Sequence, residues 1–221
     1  MTTIFLARHG ALAEDARDRF VGQMDLPLSP EGARQARAIG GVLRAGGIDA
    51  IHCSDLLRTR QTAALVAGES GVPITAHPAL REIALGEWEG LSRREVAERF
   101  PAQYAARGDD IEHYRILGGE SFADCRERVV GAWRSIVLQG GRRVVIVGHA
   151  GANRMLLCHL LGIPVGNLFS LGQDYGCINV IEYEAGHAEV RLINGRADNL
   201  RFPLPPREGE RSRFNYERIE S

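Results

Sequence analysis

Two short apolar segments of this sequence each end in a histidine that small residues follow. IFLAR leads into His9-Gly10, and VVIVG leads into His149-Ala150-Gly151. Short apolar runs of this kind predict buried strands. If the two strands are parallel neighbours, both histidines project into one crevice, and the small residues after them let a ligand approach the backbone. Arg8 adds a guanidinium with five N–H donors, so the pattern indicates a histidine acting on an anion.

Two other segments carry charged residues that suit the same chemistry. SDLLRTRQTA (54–63) places Arg58 and Arg60 early in a helix that follows a strand, where the free N–H groups and the helix dipole favour anions. The residues alone leave open which of the two arginines faces the site. LREIALGEWEG (80–90) offers Glu82, Glu87 and Glu89 as candidate proton donors. Of these, Glu87 and Glu89 are interpreted as surface acids.

Two histidines, two arginines and a carboxyl group fit phosphoryl transfer through a phosphohistidine. The arginines and one histidine would neutralise the equatorial phosphoryl oxygens, the other histidine would attack in line, and the acid would protonate the leaving oxygen. A metal hydrolase is the competing interpretation. The sequence contains no HExxH, HxH or Asp-rich metal pattern, so no metal or other cofactor is expected.

The elements that must position these residues alternate between strands and helices. Ser29-Pro30-Glu31 predicts a helix start, because a capping hydroxyl precedes a proline and an acid. Further helices are predicted over 55–67, 92–106, 121–139 and 152–161. Strands are predicted at 3–8, 48–54, 72–78 and 142–149, with a hairpin of 177–184 and 188–194. This order indicates an α/β fold with a largely parallel sheet, which binds ligands beyond the carboxyl ends of its strands.

The composition argues against a nucleic-acid-binding, disulfide-rich, secreted or membrane-spanning protein. The net charge of -1 gives no basic field for nucleic acid, and all 27 basic residues are arginine. Four cysteines without a CxxC pair predict reduced thiols in a cytoplasmic protein. The N-terminus lacks the pattern of a signal peptide. No apolar run reaches the roughly 18 residues of a membrane span.

Taken in order, the motifs resemble those of the histidine phosphatase superfamily, in its phosphoglycerate-mutase-like branch. The RHG signature stands at 8–10, and DLPLSPEGARQA (25–36) follows it. SDLLRTRQTA, LREIALGEWEG, a GGES turn at 118–121 and HAG at 149–151 complete the set. Each motif alone is weak, but the ordered set from residue 3 to about 195 is specific.

The resemblance implies a role for each catalytic position. His9 would be the nucleophile that becomes phosphohistidine. Arg8, Arg58 and His149 would hold the phosphoryl oxygens, and Glu82 would donate a proton to the leaving group. The implied fold is a three-layer α/β sandwich with helices on both faces of a mostly parallel sheet. The implied activity is metal-independent hydrolysis of a small phosphomonoester.

One loop departs from the family pattern. The run 11–16, ALAEDA, lacks the polar residues usual after RHG, so we expect Arg19 and Gln23 to take over substrate contacts. Further substrate contacts are assigned by the resemblance to Glu120 and Ser121 of the GGES turn and to Ala150. RFVGQMDLPLS (19–29) is most similar to α-ribazole-phosphate phosphatases and general small-molecule phosphatases of the family, which makes α-ribazole phosphate a candidate substrate.

The predicted organisation is one domain over 1–200, with a helical insertion near 92–118 and a Pro- and charge-rich tail at 201–221. Two other functions stay open. A phosphoglycerate mutase would keep the phosphoryl group on its histidine and return it to substrate. A phospho-ligand-binding module that has lost its catalytic activity would bind phosphate without turnover. A small-molecule phosphomonoester is the expected partner, with neither nucleic acid nor membrane. A homodimer through an edge strand or through 153–170 stays an open alternative.

Overall fold

In the described part of the chain, six strands and six helices are arranged around the two histidine motifs. The computed structural model describes residues 1–16 and 18–200, so the predicted tail at 201–221 lies outside the described residues. The strands are β1 (Thr2–Arg8), β2 (Ala50–Cys53), β3 (Ile74–Ala76), β4 (Arg143–Gly148), β5 (Ile178–Glu184) and β6 (His187–Gly195). The helices are α1 (Pro30–Arg44), α2 (Leu57–Ala67), α3 (Arg93–Arg99), α4 (Pro101–Asp109), α5 (Phe122–Gln139) and α6 (Ala150–Leu161).

The strands form one sheet in the order β3-β2-β4-β1-β5-β6. The first four are parallel to one another, β5 is antiparallel to β1, and β6 is antiparallel to β5. The hairpin turns at Ala185-Gly186, both with positive φ, as a tight two-residue turn requires. The predicted α/β class with a mostly parallel sheet is confirmed.

Apolar side chains of the central strand β1 cover both faces of the sheet, because successive residues of a strand point in opposite directions. Ile4 and Leu6 pack in a cluster with residues of α5 and α6. Phe5 and Ala7 pack in a second cluster with residues of α1 and α2. The three layers expected from the resemblance are therefore present, and β1 with β4 lies at their centre.

The segment predicted as one helix over 92–106 is two helices. Ser92 and Glu95 form a capping box at the start of α3. Pro101 then follows Phe100, whose backbone (φ -132°, ψ 50°) is not helical. Proline lacks an N–H and restricts the residue before it, so α3 ends there and α4 begins. No helix among residues 1–16 and 18–200 is both long and apolar enough to cross a bilayer.

The start of α1 touches the loop after His9 at two glycines. Ser29 Oγ accepts a hydrogen bond from Gly32 N, as the predicted cap requires. A Cβ on Gly10 would lie 2.2 Å from Gly32 O, and a Cβ on Gly32 would lie 2.1 Å from Ala11 O. Only glycine at both positions lets the helix end pack this closely against the loop that follows the first histidine.

We expect Gly32→Ala to lower the free energy of unfolding by about 1–3 kcal/mol, because the added methyl group overlaps fixed backbone. Denaturant unfolding followed by circular dichroism measures this change. Gly41→Ala is the matched control on the same helix, where a Cβ meets nothing within 4 Å. It should raise the free energy of unfolding by about 0.5–1 kcal/mol. Equal effects of the two substitutions would contradict the close-contact explanation.

Candidate active site

The parallel pairing of β1 with β4 places the two motif histidines side by side. Arg8 is in register with Gly148, and His9 N donates to Gly148 O at 3.1 Å. The ring centroids of His9 and His149 are 5.1 Å apart in an edge-on arrangement. Both side chains are buried. The structure thus brings together two residues that are 140 positions apart in the sequence.

The hydrogen bond of His9 fixes which ring nitrogen can react. His9 Nδ1 lies 2.7 Å from Gly10 O, and a carbonyl oxygen only accepts, so Nδ1 carries the proton. Burial, followed by the charges of Arg8 and Arg58, lowers the pKa of His9 well below its usual value. The ring is therefore neutral near pH 7, and Nε2 holds a free electron pair.

His149 has the opposite tautomer. Arg58 Nε donates to His149 Nδ1 at 3.2 Å, and a guanidinium only donates, so the proton of the neutral ring is on Nε2. Burial and the charge of Arg58 lower the pKa of His149 well below its usual value. His149 Nε2 is buried without a hydrogen-bond partner in the described part of the chain. The Nε2–H group of His149 can therefore donate a hydrogen bond to a ligand oxygen.

Arg58 rather than Arg60 faces this site. Arg58 is 1% exposed, and its guanidinium also donates to Met24 O at 2.6 Å and to Gly22 O at 2.8 Å. Arg60, two residues on, lies exposed on the outer face of α2. Three of the five N–H donors of Arg58 are thus used, which leaves two for a ligand.

Arg8 is held by residues of the segment between α6 and β5. Its Nη1 donates to Gln173 O at 2.6 Å, and its guanidinium lies 3.7 Å from the ring centroid of Tyr175. Arg8 Nε is buried and has no partner among the described residues. Tyr175 also lies 5.5 Å from the ring of His9. Tyr175 could not be predicted from the sequence, because no local pattern links it to the RHG motif.

The side chain of Glu82 lies at the N-terminus of α6, the helix that begins directly after His149. Its carboxylate accepts hydrogen bonds from Gly151 N at 3.0 Å, Ala152 N at 2.9 Å and Ile83 N at 3.0 Å. A carboxylate offers about four acceptor positions, so one remains for a ligand or a proton. The dipole of α6 favours a negative charge at this place.

The other two acids of the 80–90 segment lie elsewhere. Glu87 is exposed, as expected. Glu89 was expected on the surface but is half-buried, because its Oε1 accepts from Gln23 N at 2.8 Å and from Leu85 N at 3.1 Å. It connects the 20–24 segment to the segment that carries Glu82.

The five residues assigned to substrate contacts divide into two groups. Arg19 and Ala150 line the cavity in front of the histidines. Gln23, Glu120 and Ser121 do not line it, because each is engaged in holding the backbone. Gln23 Nε2 donates to Glu82 O at 3.0 Å, and Ser121 caps α5.

Glu120 acts on the Glu82 segment through a half-buried arginine, Arg128. It pairs with Arg128 and accepts from Ala84 N at 2.9 Å. Arg128 in turn donates to Glu82 O at 3.0 Å and to Arg81 O at 2.7 Å. The GGES turn therefore supports the position of Glu82, and it does so from behind the cavity wall.

The cavity has a volume of about 490 Å³ and a strongly cationic lining. Its charged lining consists of six arginines and one acid: Arg8, Arg19, Arg58, Arg93, Arg107, Arg154 and Glu82. Leu12 and Ala16, from the loop that lacks the usual polar residues, add apolar wall, as do several aromatic rings. Within residues 1–16 and 18–200, no three His, Cys, Asp or Glu side chains lie together as metal ligands. The arrangement is suited to an anion with an apolar part.

Comparisons with known proteins agree with this geometry. The family model of the histidine phosphatase superfamily (branch 1) matches residues 4–196. An adenosylcobalamin/alpha-ribazole phosphatase of Salmonella typhimurium is 30% identical, over 88% of this chain and 96% of the relative. A glucosyl-3-phosphoglycerate phosphatase of Mycolicibacterium vanbaalenii is 35% identical, over 91% and 92%. The alpha-ribazole phosphatase structure from Shigella flexneri has a TM-score of 0.82 at 28% identity and covers 90% of this chain and 100% of that one.

The neutral buried histidines predict that the protein loses stability between pH 6.5 and 5. Because the pKa values of His9 and His149 are lowered in the folded state, the unfolded chain binds more protons below about pH 6.5. Stability is fully present above that pH and falls with acidification by up to about 1.4 kcal/mol per pH unit for each histidine. Denaturant unfolding in phosphate-free buffers measures the slope.

Calorimetry in buffers of different ionisation enthalpy provides the control, since unfolding at pH 6 must take up protons. Carboxylates such as Asp55, whose pKa is lowered in the folded state, lose their stabilising contribution only near pH 4 and below. An unfolding free energy that stays constant from pH 7 to 5 would show that these histidines are not neutral in the folded protein.

Proposed function

Because the chain belongs to the histidine phosphatase superfamily (branch 1) and is a phosphomonoester hydrolase, we propose that His9 is its nucleophile and that a small phosphorylated metabolite is its substrate. The observation that carries this proposal is the pair of opposite tautomers. One buried imidazole presents an electron pair, and its neighbour presents an N–H, between two guanidinium groups. This combination attacks phosphorus and stabilises phosphoryl oxygen at the same place.

In the first step, His9 Nε2 attacks the phosphorus atom in line with the leaving oxygen. The ring gains positive charge as the N–P bond forms, and Gly10 O stabilises it through the Nδ1–H bond. The equatorial oxygens accept hydrogen bonds from the free donors of the site. These are the Nε–H of Arg8, the remaining N–H groups of Arg58 and the Nε2–H of His149.

Glu82 serves the leaving oxygen and then the water. In its protonated form it donates to the leaving alkoxide, and as a carboxylate it then accepts a proton from the water that attacks phosphohistidine. Its position at the N-terminus of α6 is fixed by three backbone N–H groups. Hydrolysis of the N–P bond returns His9 to its starting state and releases inorganic phosphate.

The size of the cavity supports a metabolite rather than a macromolecule as substrate. A volume of about 490 Å³ lies within the range of roughly 300–1,000 Å³ that small-molecule sites occupy. Two relatives are phosphatases of α-ribazole and of glucosyl-3-phosphoglycerate by name. α-Ribazole phosphate and a phosphoglycerate therefore belong in the first substrate panel.

We also propose a reducing compartment such as the cytoplasm for this protein. All four cysteines are free and buried, and burial raises the pKa of Cys53 and of Cys177 to about 11. Thiols of this kind are inert packing groups. The homodimer and the absence of nucleic-acid binding stay predictions.

We expect His9→Ala to abolish release of phosphate from 4-nitrophenyl phosphate in the presence of a chelator, because no electron pair then faces phosphorus. Arg58→Ala should lower kcat/KM by at least about a hundredfold, whereas exposed Arg60→Ala should leave it within about twofold. Steady-state kinetics with phosphate detection measures both, and a phosphorylated wild-type enzyme labile to acid identifies the intermediate.

Three outcomes would overturn this assignment. Turnover that survives in His9→Ala excludes it as the nucleophile, and activity abolished by chelator excludes the metal-independent mechanism. A wild-type enzyme that exchanges phosphoryl groups between hydroxyls without releasing phosphate is a mutase. One that binds phosphate without turnover is a binding module.

We expect the effect of Glu82→Gln to depend on the leaving group. An alkyl phosphate needs a proton on its leaving oxygen, so kcat should fall by about 10²–10⁴-fold. The nitrophenolate ion leaves without a proton, so 4-nitrophenyl phosphate should lose far less in the step that forms phosphohistidine. Pre-steady-state bursts separate this step from the hydrolysis step.

Glu87→Gln, an exposed acid in the same segment, is the control and should change neither rate. Thermal unfolding of both variants is needed because Glu82 also caps α6. Equal losses for the two leaving groups in the first step would contradict a proton-donor role.

A further inference from the structure

Arg107 is a cation in the cavity that the proposed chemistry does not use. It lies in the last turns of α4, on the segment between 92 and 118, and lines the same cavity as His9 and Arg58. Its guanidinium is 5.7 Å from the ring centroid of Trp88 and 5.3 Å from that of Phe122. Two aromatic faces thus hold it in position.

The guanidinium has no acceptor of its own. Within residues 1–16 and 18–200, Arg107 makes no side-chain hydrogen bond and no ion pair. Arg19 and Arg154 differ in this respect, since Arg19 donates to Gly90 O and Arg154 donates to Leu171 O. Arg93, which also lines the cavity, is exposed to solvent, whereas Arg107 is half-buried. Burial lowers the pKa of Arg107, which shows a cation partly removed from water without a carboxylate to compensate it.

The aromatic rings around Arg107 act as its support rather than as a platform for a ligand ring. Trp88 is 0% exposed, because Phe20 and Tyr104 pack against it in addition to Arg107. Phe122 is 4% exposed. Neither ring has a free face on which an aromatic leaving group could stack, so between Trp88 and Phe122 the group offered to a ligand is the guanidinium. Tyr104 and Phe169, which are 42% and 64% exposed, supply the open apolar wall of the cavity.

The charge of the cavity leads to the same conclusion. Six arginines line it against one acid, Glu82, whose carboxylate is engaged by backbone N–H groups. A phosphomonoester dianion bound by Arg8, Arg58 and the histidines would neutralise the arginines at that end of the cavity only. The cation on α4 fits a second negative charge on the same substrate.

We propose that Arg107 is a specificity-determining residue that binds a second anionic group on the leaving-group side of the substrate, either a carboxylate or a second phosphate. This inference rests on the proposed function. It assigns the substrate class as phosphomonoesters whose alcohol part carries an acid.

A homologous series of substrates that differ in chain length tests the proposal and measures the spacing between the two anion-binding sites. The first arm compares ω-phosphonooxy carboxylates with ω-phosphonooxy alcohols of the same chain length. The second arm compares α,ω-diol bisphosphates with the corresponding monophosphates. At the best chain length, we expect kcat/KM to favour the acid by about 10–100-fold, as a charge-assisted hydrogen bond provides. The arm with the larger ratio identifies carboxylate or phosphate.

Variants of Arg107 must remove this preference selectively. Arg107→Gln should reduce the acid-to-alcohol ratio of kcat/KM to near one, and Arg107→Lys should keep part of it. Arg107→Met retains an apolar stem over Trp88 and Phe122, so it separates loss of charge from loss of packing. Arg99→Gln is the matched control, because Arg99 is exposed and lies over Phe100 outside the cavity. It should leave the ratio unchanged.

The outcomes distinguish this inference from the proposed function. If the wild-type enzyme hydrolyses 4-nitrophenyl phosphate but shows no acid preference at any chain length, the role of Arg107 is wrong and the phosphatase mechanism stands. A preference for acids that persists in folded Arg107→Gln and Arg107→Met places the second site elsewhere. Failure to hydrolyse any substrate overturns the proposed function itself.

Discussion

Arg58 projects from α2, and its buried guanidinium joins that helix to His149, directly after β4, and to the 22–24 segment. It sets the tautomer of His149 through Nδ1 and holds two backbone carbonyls at the wall of the cavity. No carboxylate lies within ion-pair distance of it in the described part of the chain. A buried cation whose hydrogen bonds all go to neutral acceptors is costly, and an anion in the cleft would offset that cost.

The segment 171–177 holds the other arginine of the site through a buried amide network. Gln173 Nε2 donates to Asn179 Oδ1 at 2.7 Å, and Asn153 Nδ2 donates to Gln173 Oε1 at 3.2 Å. The backbone oxygen of Gln173 then accepts from Arg8, and Gly176 N donates to His9 O at 3.1 Å. A fully satisfied network of this kind is rigid, so Arg8 and Tyr175 are positioned before a ligand arrives.

Much of the fold could be predicted because its signals are local. The cap at Ser29, the apolar run of β4 and the turn at Ala185-Gly186 each depend on residues a few positions apart, and the structure retains them. The break at Pro101 was missed because the pattern of charged and apolar residues continues across it. Glu89 was misplaced because its burial depends on Gln23, 66 residues away in sequence, and no periodicity encodes such a contact.

The sequence by itself determined which chemical groups are present, the ordered family motifs and the strands that end at His9 and His149, because covalent order and hydrophobic period are properties of the chain. Only the tertiary structure decided which nitrogen of each histidine carries the proton, since that depends on Gly10 O and on Arg58 Nε. It likewise decided that Tyr175 and Arg107 face the cavity. Tautomers and uncompensated charges follow from contacts between distant segments, and these form only when the sheet brings those segments together.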